Sequence, residues 1–422
     1  MSARTILHHS RILIICATLT IAACSDSVPP LVSGVLVDNM NNSIAPEDDF
    51  FSYVNGGWLD SAEIPADKSR FGTFDLLRDK SQEDVRAIID ELADATAMAG
   101  SDEQKVGDLY RSFLDTETRE RLGVKPLDPA LKRIDDINDH SSLARTFGWL
   151  NTLGVDTPLS LSLYPDMADP TRYAIYAWQS GLGLPDREYY LDEDQKFAEI
   201  RTAYVEHIAA MFQLADFDLI ENGAQTILAL ETRFAANHLR KEETRDMAKM
   251  YNPKTRSELT SLSPALAWDV FLETSGVPDL EVLVVGQPAY VTGLDAVIVN
   301  TPLEDWKLWL RWAVLNQNAS SLTEALDKQN FNFYGTVLNG TEEQRPLWRR
   351  GVDRVNGVVG ELVGKVYVKK HFPPEAKERM VALVNNLVAA YKESIGSLAW
   401  MGEETRIEAL DKLAKFTPKI GY

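Results

Sequence analysis

Cysteine is almost absent from this chain of 422 residues, which contains only Cys16 and Cys24. Cys16 lies inside an apolar N-terminal segment that we expect to be removed, so Cys24 would be the single cysteine of the mature chain. One cysteine cannot form an internal disulfide or assemble a cysteine metal site. We also exclude a thiolate nucleophile. The fold must therefore be stabilised by its apolar core.

Histidine is scarce as well, with six in the whole chain. Those beyond the N-terminal segment are His140, His207, His238 and His371. No two of them are separated by three residues, which is the spacing that directs two imidazoles of one helix toward a zinc ion. The nearest approach to a zinc motif is His238 followed by Glu242, and it lacks a second histidine. The sequence offers no metal ligand and no catalytic residue, and we interpret each histidine as structural.

Positive charge is also in deficit. The chain has 43 lysines and arginines against 63 aspartates and glutamates, which gives a formal net charge of −20. Nucleic acid requires a basic surface, so this balance excludes it as a partner. Electrostatic binding to an anionic membrane surface is disfavoured for the same reason. A bound cation could use the excess acid, but a solvated acidic surface is the simpler interpretation.

A hydrophobic run long enough to span a bilayer is lacking at the N-terminus, where Ile12–Ala23 is too short for a membrane helix. Basic residues precede this run, and it ends in Ile21-Ala22-Ala23-Cys24, which is similar to the lipobox of bacterial lipoproteins. Residues 1–23 are therefore predicted to be a lipoprotein signal peptide, with lipid attached to Cys24. The alternatives are an ordinary signal peptide with a chance cysteine and a membrane anchor that is never cleaved.

The residues after the predicted lipid site indicate location and flexibility. Ser25, rather than aspartate, follows the cysteine, which is similar to lipoproteins sorted to the outer membrane in many Gram-negative bacteria. We expect a lipid-anchored protein of the bacterial cell envelope, on its periplasmic or surface side. Residues 24–46 include Pro29-Pro30 and Ser33-Gly34 with little periodicity, and predict a flexible tether.

The remaining chain, residues 47–422, has the composition of a globular protein and mostly helical patterning. Hydrophobic residues make up 45% and charged residues 25% of the chain. Apolar residues at helical spacing predict long helices. These span Gln195–Leu214, Asp218–His238, Glu304–Asn316, Glu343–His371 and Glu375–Trp400. Alternation over Leu159–Leu163 and Tyr173–Ala177 predicts one hairpin. The expected fold is mainly α with a minor β-hairpin.

Patterns for other chemistries are incomplete. Gly360–Lys365 approaches a phosphate loop but has one residue too few between its glycines. Gly181–Gly183 lacks the third glycine of a dinucleotide site. The three tryptophans of Trp306–Trp312 lie on a strongly apolar helix and are interpreted as core. Residue chemistry alone therefore identifies no active site.

Several strings along the chain resemble the neprilysin and endothelin-converting-enzyme family of zinc metallopeptidases. Asp49–Leu59 (DFFSYVNGGWL) resembles the family's opening signature, and Arg70–Asp79 (RFGTFDLLRD) continues it. Gly181–Leu191 (GLGLPDREYYL) is the most specific match, because no general folding rule requires that string. Pro302–Trp306 and Gly360–Val368 extend the likeness in family order.

The resemblance implies a two-lobed enzyme in which a zinc-bearing catalytic lobe faces a large helical lobe, and oligopeptides enter the space between them. This chain resembles the helical lobe. The zinc ligands and the catalytic glutamate base would lie in a C-terminal catalytic lobe beyond Tyr422, so we expect the chain to be inactive alone. The partners implied are oligopeptide substrates, the catalytic lobe, and a membrane reached through lipidated Cys24.

One substrate-binding residue is implied by the same resemblance. In the family, an arginine before an aromatic–glycine pair helps to bind the C-terminal side of the substrate, and Arg70 before Phe71-Gly72 matches it. A guanidinium suits this role because it can pair with a carboxylate through two hydrogen bonds. The alternative is a surface salt bridge to Asp67 or Asp75. For the whole chain, the alternative function is a non-catalytic surface lipoprotein that binds peptides or a protein partner.

Overall fold

The computed structural model of the protein describes residues 34–94 and 97–422. These residues form two compact units that divide between Glu63 and Ile64. The predicted signal peptide, its cleavage site and the lipid site at Cys24 lie outside the described residues, as does the first part of the predicted tether. Each unit is described by itself below.

The first unit contains a short 3-10 helix, Val37–Asn39, and helix α1, Phe50–Leu59. The Asp49 carboxylate begins α1 by accepting a hydrogen bond from the backbone amide of Ser52 at 3.0 Å. Asn41 packs against α1 so closely that a Cβ at Gly56 would lie 2.7 Å from the Asn41 Cβ. The glycine of the opening signature therefore permits this contact.

The second unit is built mainly of helices. They are α2 (Thr73–Asp94), α3 (Asp102–Leu114), α4 (Thr116–Leu122), α5 (Asp128–Asp135), α6 (His140–Thr152), α7 (Glu188–Leu191), α8 (Gln195–Leu214), α9 (Gly223–Asn237), α10 (Arg256–Leu262), α11 (Trp268–Thr274), α12 (Pro288–Val299), α13 (Leu303–Asn318), α14 (Glu324–Phe331), α15 (Leu347–His371), α16 (Pro374–Ser397) and α17 (Glu403–Ala414). The mainly α fold is confirmed. Within the described ranges, none of the helices combines the length and the apolar character that crossing a bilayer requires.

The predicted hairpin is confirmed and forms part of a larger sheet. Strands β1 (Leu159–Pro165) and β2 (Tyr173–Gln179) pair antiparallel, and β3 (Pro253–Thr255) and β4 (Val282–Val285) complete the order β1-β2-β4-β3. Strand β4 runs parallel to β2 and antiparallel to β3. The sequence missed the last two strands because β3 has three residues and β4 is a short apolar run without alternation.

The larger core surrounds α13. Trp306, Trp309 and Trp312 are all buried, which confirms their interpretation as core residues. The Trp306 ring stacks on Phe234 of α9 with centroids 5.6 Å apart and meets the edge of Phe147 of α6 at 5.3 Å. Helices α5, α8 and α9 all pack on α13. This apolar helix therefore lies at the centre of the core.

A smaller core joins α2, α3 and α15. Ile88 and Ile89 of α2 pack with Val106 of α3 and with Val352 and Val355 of α15. The apolar spacing along α2 places its two isoleucines on one face, which is the face that is buried. This cluster fixes the helix whose first turns border the cleft described next.

Candidate functional site

A polar cleft of about 240 Å³ lies beside the first turns of α2 and includes the predicted substrate-binding residue, Arg70. Three segments line it: the loop Asp67–Arg70, one side of α2, and residues between Asn339 and Arg345. The loop is fixed by its backbone, because the carbonyl of Ala66 accepts hydrogen bonds from the amides of Glu342 and Glu343 at 3.1 and 2.9 Å. The cleft therefore has a defined wall on both sides.

Most of the cations in and around the cleft are paired with nearby acids. Lys68 and Arg349 both pair with Asp79, the latter at 2.7 Å. Burial of Asp79 works against ionisation, but these two partners lower its pKa below the usual value. Arg345 pairs with Asp353 at 2.7 Å. These ion pairs join the loop to α2 and α2 to α15, and they leave little unpaired positive charge in the cleft.

Arg70 differs from its neighbours. Its side chain is exposed, and no hydrogen bond or ion pair joins it to another described residue. Asp75, one of the two acids that we considered as its partner, lies 3.5 Å from Arg78 instead. The structure thus places Arg70 in a cleft with its guanidinium available, while its role in substrate binding stays a prediction.

A buried carboxyl group organises a second region, around the most specific family string. Glu231 of α9 accepts hydrogen bonds from the Tyr190 hydroxyl at 2.7 Å, the Tyr204 hydroxyl at 3.0 Å, the Trp309 indole at 3.1 Å and the Gly183 amide at 3.3 Å. Burial raises the pKa of Glu231 to about 7, against the effect of these donors. Two of the four hydrogen bonds, those from Tyr190 and Gly183, attach the family string to the core.

Glu231 was missed by the sequence analysis, although a signal was present. Ile227, Leu230 and Phe234 mark the buried face of α9, and Glu231 falls on that face. An acid on an apolar face requires donors from its surroundings. Gly183 belongs to the same arrangement, because a Cβ there would lie 1.8 Å from the Tyr204 hydroxyl oxygen.

Three of the histidines beyond the N-terminal segment have identifiable environments. His207 stacks on Phe333 with ring centroids 4.8 Å apart, and burial lowers its pKa to about 4. Burial likewise lowers the pKa of His238 to about 4. His371 lies 3.8 Å from Asp84. His207, His238 and His371 therefore each have their own set of neighbours.

Zinc, the metal that the family resemblance implies, does not fit the residues present. Across residues 34–94 and 97–422, no three histidine, cysteine, aspartate or glutamate side chains are grouped so that they could hold a metal ion. The described chain therefore provides a cleft with a free arginine and an anchored loop, but no ligand set from which a zinc-dependent step can be derived.

Comparison with known proteins identifies relatives of this architecture. A solved structure of a zinc metalloprotease from Mycobacterium tuberculosis, Zmp1 in complex with an inhibitor, is 40% identical, with a TM-score of 0.86 over 91% of this chain and 59% of its own. Endothelin-converting enzyme 1 of Mus musculus is 28% identical over 419 residues, which cover 96% of this chain and 54% of the mouse protein. Human membrane metallo-endopeptidase-like 1 is 27% identical, over 92% of this chain and 53% of its own length.

The chain spans about half the length of the curated relatives that it matches. The family model described as Peptidase family M13 matches residues 46–422, which is most of the chain. The helical fold and the strings around Arg70 and Gly183 fall within this match. The chain therefore belongs to peptidase family M13, of which it represents the N-terminal domain.

Proposed function

We propose that this chain is the substrate-enclosing part of a zinc metalloendopeptidase that hydrolyses oligopeptides. The observation that carries the proposal is the free guanidinium of Arg70, in a cleft whose other cations are largely paired, within a chain of peptidase family M13. A zinc metalloprotease is what the name of the similar Mycobacterium tuberculosis protein states. We extend that activity to the whole enzyme of which these residues would be a part.

Arg70 suits a peptide better than it suits a structural role. A guanidinium can donate two parallel hydrogen bonds to a carboxylate or bind peptide carbonyl oxygens. Lys68 and Arg345 in the same cleft are held by acids, so they contribute less free charge for a ligand. Arg70 is thus the group from which a bound peptide would gain most.

Helix α16 supports the presence of a further lobe in the active enzyme. None of its residues is buried. Met380, Leu383, Leu387 and Tyr391 follow one another at helical spacing, and each is more than 40% exposed. Apolar stripes of this kind mark surfaces that another protein element covers. We infer that a catalytic lobe covers this stripe, and that the 422 residues alone do not cleave peptides.

The decisive experiment compares two forms of the protein. The purified chain and a form extended by whatever coding sequence follows Tyr422 are incubated with a quenched-fluorescent oligopeptide, with and without a zinc chelator. We expect turnover by the extended form only, and its loss on chelation. Chelator-sensitive turnover by the 422-residue chain would overturn the proposed division of labour.

The same comparison includes an outcome for the alternative function. A following sequence without a His-Glu-x-x-His motif, together with specific peptide binding by the chain, would favour a non-catalytic peptide-binding lipoprotein. Arg70→Gln should weaken peptide binding in either case, so this variant tests the cleft independently of catalysis.

We also propose that the protein is anchored by lipid at Cys24 in the bacterial cell envelope. Support comes from the Ile21-Ala22-Ala23-Cys24 sequence. Expression of residues 1–422 in a Gram-negative host should place the protein in the membrane fraction with an acylated N-terminal cysteine, as measured by mass spectrometry. Cys24→Ala should release it, and Cys16→Ala is the matched control that should not.

A further inference from the structure

The family string Gly181–Leu191 contains one charged side chain that the fold does not use. Three of its polar side chains have partners: Tyr190 donates to Glu231, Asp186 accepts from a backbone amide at 3.2 Å, and Glu188 lies 3.9 Å from Arg240. These contacts explain the string as a loop that is attached to α9 and enters α7. They leave Arg187 unexplained.

The Arg187 side chain is partly buried and has no hydrogen bond or ion pair within residues 34–94 and 97–422. Its Nε atom is fully enclosed and without an acceptor. Buried polar groups in folded proteins almost always have partners, because leaving a buried donor unsatisfied is destabilising. The charge of Arg187 therefore has no counterion among the described residues, and the side chain as a whole is only partly buried.

Arg187 lines a pocket of about 300 Å³, a volume at the lower end of the range for small-ligand sites. Lys241 and Asp156 line the same pocket, and neither side chain is engaged by another described residue. Asp156 is exposed, yet the desolvation that it does experience raises its pKa. A nearby ammonium group would favour its ionised form.

The other titratable groups of the pocket, Asp186 and His238, already have hydrogen-bond partners. Asp186 accepts the amide hydrogen bond that begins α7. Burial lowers the pKa of His238 to about 4, with the charge of Arg187 acting in the same direction, so its imidazole is neutral near pH 7. The Nε2 of His238 lies 3.3 Å from the carbonyl of Ser180. The charged side chains of the pocket that lack a partner among the described residues are thus those of Arg187, Lys241 and Asp156.

We propose that this pocket binds a small zwitterion with one carboxylate and one ammonium group, which is the chemistry of a free amino acid or a very short peptide. The ligand carboxylate pairs with Arg187 and Lys241, and its ammonium group pairs with Asp156. Each of these three charged side chains then has a partner of opposite charge. The site is separate from the cleft of Arg70, and its occupation requires no cleavage, so it does not depend on the proposed enzymatic function.

The test is calorimetric titration of the purified chain with alanyl-alanine. N-acetyl-alanyl-alanine lacks the ammonium group and alanyl-alanine amide lacks the carboxylate, so each blocked dipeptide removes one proposed contact. We expect both to bind at least ten-fold more weakly than the free dipeptide. Arg187→Gln and Asp156→Asn should each weaken the free dipeptide at least ten-fold. Arg245→Gln and Asp279→Asn are the matched surface controls and should change its affinity less than two-fold.

Lys241 provides the second variant, because it is exposed and its replacement does not endanger folding. Lys241→Gln should weaken alanyl-alanine several-fold even if Arg187→Gln proves unfolded by circular dichroism. The absence of detectable binding by the parent chain at dipeptide concentrations up to about 10 mM would overturn the proposal. Equal affinities for the free and blocked dipeptides, or for Lys241→Gln and the controls, would overturn it as well.

Discussion

Helix α13 buries its apolar side chains, whereas helix α16 leaves its own exposed. Helix α13 buries Trp306, Trp309 and Trp312 among the helices around it. Helix α16 is longer but buries none of its residues, and Leu387 is 51% exposed. Both helices have apolar residues at helical spacing, so the pattern alone does not distinguish them. The difference lies in whether the described chain supplies the second surface.

The comparison separates residues that stabilise the fold from residues that stay exposed in the described chain. Burying a large side chain contributes about 1.5–3 kcal/mol relative to leaving it exposed, and helix α13 collects several such contributions. Helix α16 packs chiefly on α17, which also has no buried residue. We therefore expect substitutions in the first helix to affect unfolding, and substitutions in the second to affect association.

The largest effect should come from a tryptophan of the core. Trp306→Ala removes a ring that is fully buried against Phe234 and Phe147, and should lower the free energy of unfolding by about 3–5 kcal/mol. Trp400 is the matched control, because its ring is 76% exposed. Trp400→Ala should change stability by about 0.5 kcal/mol or less. Urea denaturation followed by circular dichroism measures both, and similar losses would contradict the assignment of the core to α13.

The second effect is a pH dependence that arises from Glu231. Its pKa is raised to about 7 in the folded protein from an ordinary value of 4.5. Between these two values the unfolded chain loses its proton while the folded protein keeps it, so the stability that Glu231 contributes falls as pH rises. A shift of this size corresponds to about 3 kcal/mol between pH 4.5 and pH 7.

The measurement must isolate Glu231, because His207 and His238 act in the opposite direction. Their folded-state pKa values are lowered to about 4 from 6.5, so their contribution falls as pH decreases through this range. Glu231→Gln retains both histidines and removes the titrating carboxyl group. The difference in unfolding free energy between the parent and Glu231→Gln should decrease from pH 5 to pH 7.5. A difference that stays constant or increases with pH would show that the carboxyl group is ionised throughout.

The sequence predicts the fold better than it predicts these sites. Gln195–Leu214 was predicted with both ends correct, because its apolar spacing is regular and Asp194 caps its first turn. Helix α9 begins at Gly223 rather than at Asp218, because Asn222 has a left-handed backbone with φ of 60°. Regular apolar spacing and a capping residue are local signals that the sequence displays. A helix start that depends on the backbone conformation of one residue, such as Asn222, is displayed only in part.

The sites could not be predicted because their groups come from distant parts of the chain. Glu231 receives donors from Gly183, Tyr190, Tyr204 and Trp309, and no local rule joins these positions. Arg70 was identified through the family resemblance alone, since its own neighbourhood resembles an ordinary charged surface. Its lack of an ion pair became visible only when the partners of the neighbouring acids were known.

The third prediction concerns Arg70 in the cleft, whose substitution should change substrate binding and leave stability almost unchanged. In a form of the enzyme that cleaves peptides, Arg70→Gln should raise KM by about ten-fold, since a hydrogen bond to a charged group is worth about 1.5–3 kcal/mol. Because Arg70 makes no hydrogen bond or ion pair with another described residue and its side chain is exposed, its loss should leave the free energy of unfolding unchanged within about 0.5 kcal/mol. Arg245→Gln serves as the control for charge. An unchanged KM for Arg70→Gln would remove this residue from the substrate site.

The smallest change in stability, and the sharpest distinction between the two helices, should come from the stripe of α16. Leu387→Gln should alter the free energy of unfolding by about 0.5 kcal/mol or less, because half of the side chain is already exposed. It should nevertheless reduce self-association of the purified chain in light scattering, since an uncovered apolar stripe is the surface through which copies would adhere. Leu153 is 55% exposed outside the stripe, so Leu153→Gln is matched in size and exposure. If both variants reduce association equally, general surface hydrophobicity is responsible; if only Leu387→Gln does so, α16 is the surface that a further lobe would cover.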